Sequence, residues 1–363
     1  MNRRFHASGW VVGAGLALAG QAAAQGGLID PNEAKIGTLV SFQTDAGDIT
    51  VGLFDTTTPQ TVDNFLNYVN DGDFDGGFFH RLVDNFVIQG GLAVLDGSTV
   101  VNVPTDPPVQ NEPFVTNTLG TIAMAKVGGD PNSATSQFFF SLDDNSSNLD
   151  NQNGGFTAFG VIVEGLDNFL TQVATLDIGD ATAQLGSAYS DLPVEDFDAG
   201  LTVGNLVSYT IDVVGTLGDL NDDDTLDGSD LDLLAANLGT GSTFGEGDID
   251  FDGDVDVDDL TAWLNLLDTV PGDANLDQVV DTSDLAILAA SFGTSGTGYT
   301  QADFNIDGTV NTSDLAILAA SFGFGDAVPS ASGAAIPEPA SLALLGSAGL
   351  AALIRRRAAA CPR

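Results

Sequence analysis

Between residues 219 and 314, oxygen-bearing side chains recur at the same offsets in four successive loops. The first loop carries Asp219, Asn221, Asp223, Asp227 and Asp230 at positions one, three, five, nine and twelve. The second carries Asp248, Asp250, Asp252, Asp256 and Asp259, the third Asp273, Asn275, Asp277, Asp281 and Asp284, and the fourth Asp303, Asn305, Asp307, Asn311 and Asp314. A hard divalent cation such as Ca²⁺ takes six to eight oxygens, and this spacing wraps one stretch of chain around one ion. The backbone carbonyl at position seven, from Thr225, Asp254, Val279 or Thr309, fills the remaining gap. The pattern predicts up to four structural calcium sites, since a merely acidic surface has no reason to repeat its spacing. Position six favours glycine for a sharp turn. It is Gly253 and Gly308 in two loops but Asp224 and Gln278 in the first and third, which are therefore expected to be strained or weaker. The carboxylates repel until an ion arrives, so binding and folding should be coupled, with chelation unfolding 218–323 and sparing 36–215.

The 363 residues hold 9 Lys+Arg against 51 Asp+Glu, a net charge of −42, and no basic residue lies between Lys126 and Arg355. Such a field repels phosphate backbones and excludes nucleic acid as a partner. Hydrophobic residues at 43%, including 22 Phe, set the chain apart from an acidic disordered tail. The single cysteine, Cys361, excludes a disulfide framework and a Cys-based metal site. With the acids concentrated in ion loops, no isolated carboxylate pair supports an acid hydrolase.

Both ends read as addresses. Residues 1–24 have Arg3 and Arg4, an apolar run from Trp10 to Ala19 and small residues Ala22, Ala23 and Ala24, the pattern of a secretory signal. Residues 337–363 have Pro337-Glu338-Pro339, an apolar stretch at 341–354 and Arg355, Arg356 and Arg357, a short membrane segment with a basic stop. An Ala/Ser/Gly/Pro-rich linker at 326–336 precedes it. The protein is expected to be exported, to the envelope, cell surface or medium.

Residues 36–215 alternate β-rich runs with turn clusters. Strands are predicted at 39–44 and 49–54 around the Asp45–Asp48 turn, then at 79–82, 86–89, 120–125, 137–142, 157–162 and 206–214. Val62, Phe65, Leu66 and Val69 have helical spacing, which predicts a helix over 61–69. This domain is mainly β, a barrel or sandwich. Beyond Gly215 the Asp-rich loops alternate with Leu/Ala-rich helices, and TSDLAILAASFG stands identically at 282–293 and 312–323. Weaker copies at 228–239 and 257–267 complete four units.

Paired in this way, as modules 218–267 and 272–323, the loops resemble type I dockerin domains, all-α calcium modules that dock onto cohesins. The resemblance implies a cohesin-like partner. Recognition would sit at loop positions ten and eleven, where Thr282-Ser283 and Thr312-Ser313 stand out from Gly228-Ser229 and Val257-Asp258. A calcium-stiffened spacer or surface attachment is the other reading. The tail at 337–363 resembles a PEP-CTERM sorting signal, which implies processing by an exosortase-type protease.

FFHRLVDNFVIQGG at 78–91, GTIAMAKVGGDPNSATSQFFFSL at 120–142 and FTAFGVIVEGLD at 156–167 resemble cyclophilin-type peptidyl-prolyl cis-trans isomerases over 36–215. The resemblance implies a closed eight-stranded β-barrel capped by two helices, acting on proline-containing peptides or exported proteins without a catalytic cofactor. Family correspondence makes Arg81, Phe86, Gln89 and Phe139 the catalytic set. Arg81 would meet the prolyl nitrogen, while Gln89 would bind a substrate carbonyl and help position Arg81. Phe86, Val87, Phe139 and Leu149 would form the proline hollow. Gln137 and the backbone of Ala125 and Lys126 would line the peptide groove, with Phe156 at the rim. His80 is expected beneath the site as a structural hydrogen-bonding residue rather than a base. Phe156 stands where many members have His, Asn148 where many have Trp, Lys126 for a usual Asn and Val87 for a usual Met. No role attaches to 171–203. The rival readings are a proline-peptide binder without turnover and a structural surface protein.

Overall fold

The computed structural model describes residues 28–196, 202–295 and 298–325. The signal segment 1–24, the linker 326–336 and the tail 337–363 lie outside the described residues. Among the described residues, no helix is long and apolar enough to cross a membrane.

Strands β1 (Thr38–Thr44) and β2 (Ile49–Leu53) form an antiparallel hairpin with Phe42 opposite Ile49. Helix α1 (Pro59–Asn70) starts on a proline and buries Val62, Phe65 and Tyr68. Pro59 fits there because its missing N–H would lack an intrahelical partner in the first turn anyway. Next come β3 (Gly77–Phe78), β4 (Arg81–Val83), β5 (Val87–Gly90), β6 (Ala93–Asp96), β7 (Thr99–Asn102), β8 (Thr121–Met124) and β9 (Phe138–Ser141). After the short helix α2 (Ser146–Leu149) follow β10 (Ala158–Glu164), α3 (Leu166–Val173), β11 (Asp177–Gly179), α4 (Thr182–Leu185), β12 (Leu192–Val194) and β13 (Ser208–Thr216). Eleven of these strands form one sheet, ordered β4-β5-β9-β8-β10-β2-β1-β13-β3-β6-β7.

The strand expected over 79–82 is divided. Gly77 pairs with Tyr209 on β13, whereas Arg81 pairs with Gln89 on β5. Between them the Phe79 N–H donates to the Val207 carbonyl and the His80 N–H to the Gln89 carbonyl, both at 2.9 Å. This short stretch thus hands the chain from one neighbour to the other. The β6–β7 hairpin and α3 were not among the expected elements, though each has a signal. Gly97-Ser98 supplies a tight turn with Gly97 at φ +62°, and Leu166, Phe169, Leu170 and Val173 repeat at helical spacing.

Side chains alternate across a strand, and β9 shows what that does to three consecutive phenylalanines. Phe138 and Phe140 turn into an aromatic core with Phe42, Phe65 and Tyr209, with ring centroids 5.2–6.2 Å apart for the pairs that Phe42 makes with Phe140 and Tyr209. Phe139 turns to the opposite face, among Val87, Ala123, Leu149 and Ala158. The β11–β12 pair, with α4 and Tyr189, covers Phe78 and Ala93. The Asp191 carbonyl there accepts a 2.8 Å bond from the Leu82 N–H, next to Arg81.

The second half contains α5 (Gly228–Asn237), α6 (Val257–Leu266), α7 (Thr282–Ser291) and α8 (Thr312–Ser321). Each begins with a capping box built from loop positions nine and twelve. Asp227, Asp256, Asp281 and Asn311 are the N-caps, accepting from the backbone two residues on, and Asp230, Asp259, Asp284 and Asp314 sit at the third helical position. The four helices share one core, including Leu231, Leu234, Trp263, Leu264, Leu288 and Leu318. Leu39 of β1 and Leu217 are buried in the same core, the Leu217 N–H donates to the Gly37 carbonyl at 2.7 Å, and Lys35 pairs with Asp268. The junction near residue 216 is therefore packed.

Trp263 is fully buried and its Nε1–H donates to the Gly218 carbonyl at 2.8 Å. Trp263→Ala is expected to cost about 3–5 kcal/mol, the range for deleting a large aromatic from a core. A urea melt with calcium present measures the loss, and hydrogen exchange should show faster exchange at Leu217. A melt unchanged within about 1 kcal/mol would show that this core does not hold the helices.

Candidate active site and calcium loops

The β-register builds the first site. Arg81 lies opposite Gln89, Gln89 opposite Phe139, Phe139 opposite Ala123 and Ala123 opposite Ala158. A single row thus crosses β4, β5, β9, β8 and β10, and neighbouring strands lie about 4.8 Å apart. The turn from β4 into β5 uses Asn85 at φ +52°, a left-handed conformation that asparagine tolerates well. It brings Phe86 and Val87 to the same end of the row.

These residues open onto a cavity of about 350 Å³. It is lined by Arg81, Phe86, Val87, Gln89, Ala125, Lys126, Phe139, Asn148, Leu149, Gln152 and Phe156. Val87, Phe139 and Leu149 are buried and form an apolar floor. The Phe156 ring stands edge-on to Phe139 with centroids 5.8 Å apart. Gln137 is not on the lining, but its Oε1 accepts a 2.8 Å bond from Gln89 Nε2. Asn148 and Gln152 reach the cavity too, from α2 and the turn after it. That segment is held by Asn145 Nδ2 on the Phe86 carbonyl, by Asp150 on the Asn117 side chain and by the Phe156 N–H on the Leu149 carbonyl.

Arg81 is partly exposed, and Asp191 Oδ2 stands 4.0 Å from its Nε. Lys126 Nζ donates to Asn111 Oδ1 at 3.0 Å, to the Asn153 carbonyl at 3.1 Å and to the Gly155 carbonyl, and it lies 4.6 Å from the Phe156 ring centre. Burial lowers its pKa to about 8. His80 is buried, and its hydrogen bond is made by the backbone N–H, while ring Nδ1 has no partner. Burial, reinforced by the Arg81 charge, holds the ring pKa down to about 3. The ring is therefore neutral throughout the physiological range.

The calcium-loop residues also converge. Carboxylate oxygens of Asp248, Asp250 and Asp252 lie within 4.8 Å of one another, a cluster of three acceptors that a hard cation fits. Burial and the neighbouring carboxylates push Asp250 up to about 6, as expected for acids gathered without a counter-charge. At position one, Asp219, Asp248, Asp273 and Asp303 each accept the N–H of position five at 3.1–3.2 Å. The position-twelve aspartates are buried and accept backbone N–H groups on both oxygens, such as Phe304 and Asn311 on Asp314. A carboxylate has about four lone-pair sites, so each oxygen keeps capacity for an ion. The position-six residues are all left-handed: Asp224 at φ +63°, Gly253 at +97°, Gln278 at +69° and Gly308 at +84°. So are the position-four residues Asp222, Phe251, Leu276 and Ile306, at φ +48° to +61°, for which the residue types carry no signal.

Residues 39–184 match the model for "Cyclophilin type peptidyl-prolyl cis-trans isomerase/CLD", 271–322 the dockerin type I domain and 335–357 the PEP-CTERM protein-sorting motif. A peptidyl-prolyl cis-trans isomerase of Acinetobacter baylyi is 36% identical over 39% of this chain and 75% of its own length. The chain belongs to the cyclophilin-type peptidyl-prolyl cis-trans isomerases. Among other members, peptidyl-prolyl cis-trans isomerase B of Escherichia coli is 37% identical over 44% of this chain and 94% of its own. The cyp18 isomerase of Streptomyces antibioticus is 41% identical over 35% and 78%.

A His80 that gains its proton only near pH 3 gives the pH–rate profile no step near 6.5, the ordinary histidine value. A step there that vanishes in His80→Gln would contradict the buried neutral ring. Gln278→Gly relieves a left-handed side chain and should stabilise the third loop by about 1 kcal/mol. Calorimetry at saturating calcium measures this, and an unchanged or lowered melting temperature counts against strain at position six.

Proposed function

We propose that this chain is an exported peptidyl-prolyl cis-trans isomerase that acts on Xaa-Pro bonds of exported proteins and is localised by its calcium modules. Amide resonance opposes rotation about the prolyl bond by about 18–20 kcal/mol. No bond to the enzyme is needed. Catalysis requires only that the twisted amide be held better than either planar form.

At the twist the prolyl nitrogen regains its lone pair and becomes an acceptor. A guanidinium suits it, with donors in a rigid fork and a charge that persists at every relevant pH. Arg81 takes this role. The contact of Asp191 is with Nε, which leaves the terminal nitrogens for substrate. Val87, Phe139 and Leu149 receive the proline ring, flanked by Phe86 and Phe156. The apolar floor removes water from the amide and so disfavours its charge-separated resonance form. Gln89, oriented by Gln137, binds a substrate carbonyl, and the backbone of Ala125 and Lys126 lines the groove. The observation that carries this reading is the register row that sets a cation beside an open apolar hollow.

We further infer that the large sheet closes into a barrel of eight strands. The closure runs through residues 77–83, with β3 and β4 as halves of one strand between β13 and β5, and β6–β7 appended. The calcium loops would hold up to four structural ions through Asp219, Asn221, Asp223, Asp227 and Asp230 and their counterparts in the other three, the ions supplying positive charge that lets the carboxylates pack. The second module would dock a cohesin-like partner, and an exosortase-type protease would process the tail, placing the enzyme in the envelope or at the surface.

Isomerisation of a short Xaa-Pro peptide, followed by NMR exchange, tests the catalytic reading. Removing one preorganised donor to a transition state costs about 10²–10³ in rate, so Arg81→Ala should lose that much of kcat/KM. Equal rates for the two proteins would leave a proline-peptide binder in place of an enzyme.

A further inference from the structure

Among the described residues the lysines and arginines are three, Lys35, Arg81 and Lys126, and His80 is held neutral. Lys35 is paired with Asp268 at the junction of the two halves. The other two line the same cavity, and none of the residues lining it is a carboxylate. Asp191 beside Arg81 offsets one of these charges at 4.0 Å. Lys126 has no such partner. Its ammonium is bonded to an amide oxygen and two backbone carbonyls and lies over the face of Phe156. A cation that loses water without gaining a counter-ion titrates low, as Lys126 does.

The surroundings sharpen the contrast. The chain as a whole carries −42, so its field repels acidic peptides over most of its surface. An acidic peptide that reaches the hollow meets two cations on the lining of one cavity, inside a partly desolvated groove where screening by water is reduced. A basic residue beside the proline would instead lie against these two positive charges.

We propose that the pocket selects prolyl bonds preceded by an acidic residue, Glu-Pro in first place, and that Lys126 is the specificity-determining residue. This deepens the isomerase reading above and rests on it. The chain itself contains such a bond, Glu338-Pro339, within Ala335-Ile336-Pro337-Glu338-Pro339-Ala340, and that hexapeptide is a natural probe.

The experiment compares kcat/KM of the full chain, with calcium present, on four-residue peptides Ala-Xaa-Pro-Phe with Xaa as Glu, Gln or Lys, and on the hexapeptide with its Glu kept or changed to Gln. The Glu forms should exceed the Gln forms by about five- to tenfold at low salt, and the Lys peptide should fall below Gln. Salt at about 1 M shrinks the Debye length to about 3 Å and should bring the three together. The ratio of Glu to Gln, read within each protein, should fall toward one in Lys126→Met and persist in Lys126→Arg. A purely structural role for Lys126 would lower all peptides alike and leave the ratio unmoved. Equal Glu and Gln rates in the wild type, or an unchanged ratio in Lys126→Met, overturns the selectivity while isomerisation stands. No acceleration of any peptide overturns the isomerase reading itself. Should Lys126→Met fail to fold, the wild-type ratio and its salt dependence decide alone.

Discussion

The site depends on strand register. Arg81, Gln89 and Phe139 come from three different strands, and their only common constraint is that the hydrogen-bond ladders set them opposite one another. A slip of one residue in any of these pairings would turn the row to the other face. Arg81 would then point into a core of Phe42, Phe138 and Phe140, and Leu82 would face the groove. The aromatic core on one face therefore fixes the arrangement of side chains on the other, because Phe138 and Phe140 can be buried together only while Phe139 turns to the opposite face.

A second coupling follows from the same geometry. The chain between β3 and β4 spends two residues crossing from β13 to β5, and both of its N–H groups are bonded, to Val207 and to Gln89. His80 occupies that crossing, under Tyr189 and next to Arg81. A charged ring there would sit in a closed apolar space against a guanidinium, and its low pKa reflects both costs. The acidic stretch around Asp191 braces the crossing from outside, through the backbone bond to Leu82 and the carboxylate near Arg81. Asp191, within the stretch 171–203, thus lies beside the guanidinium.

What the residues disclose and what they hide divides along physical lines. The strands at 39–44, 49–54 and 206–214 were legible because β-branched and aromatic residues between turn clusters mark strands, and they fall within two residues of β1, β2 and β13. The residues assigned to the pocket were legible only jointly, through a family pattern, since an isolated Phe or Gln has no signature. Asn148 and Gln152 were missed as lining residues because their place depends on how α2 is anchored by Asn145 and Asp150, contacts distant in sequence. The break at residues 79–80 was illegible for a similar reason. FFHRL carries no turn residue to interrupt a strand, and only the competing partners on either side divide it. In the calcium loops the spacing was plain, yet the left-handed backbone at Leu276 and Ile306 was not, because those residue types disfavour it.

A bulky left-handed residue persists only when its surroundings over-determine it. Here the surroundings are the loop's own bonds: position one accepts the N–H groups of positions five and six, and position twelve those of positions two and nine. Those bonds make the aspartate array a backbone scaffold in its own right. The same twelfth residue completes the capping box of the following helix, so loop closure and helix start are one event in each of the four units. Charge repulsion among the acids opposes that event and a bound cation relieves it. Leu39 and Leu217 carry the consequence across the junction, because their burial requires the helices to be assembled, and Leu39 belongs to the strand that pairs with β2 and β13. A cation bound at the loops would therefore be linked to order at that edge of the sheet through a shared apolar core rather than through a tether.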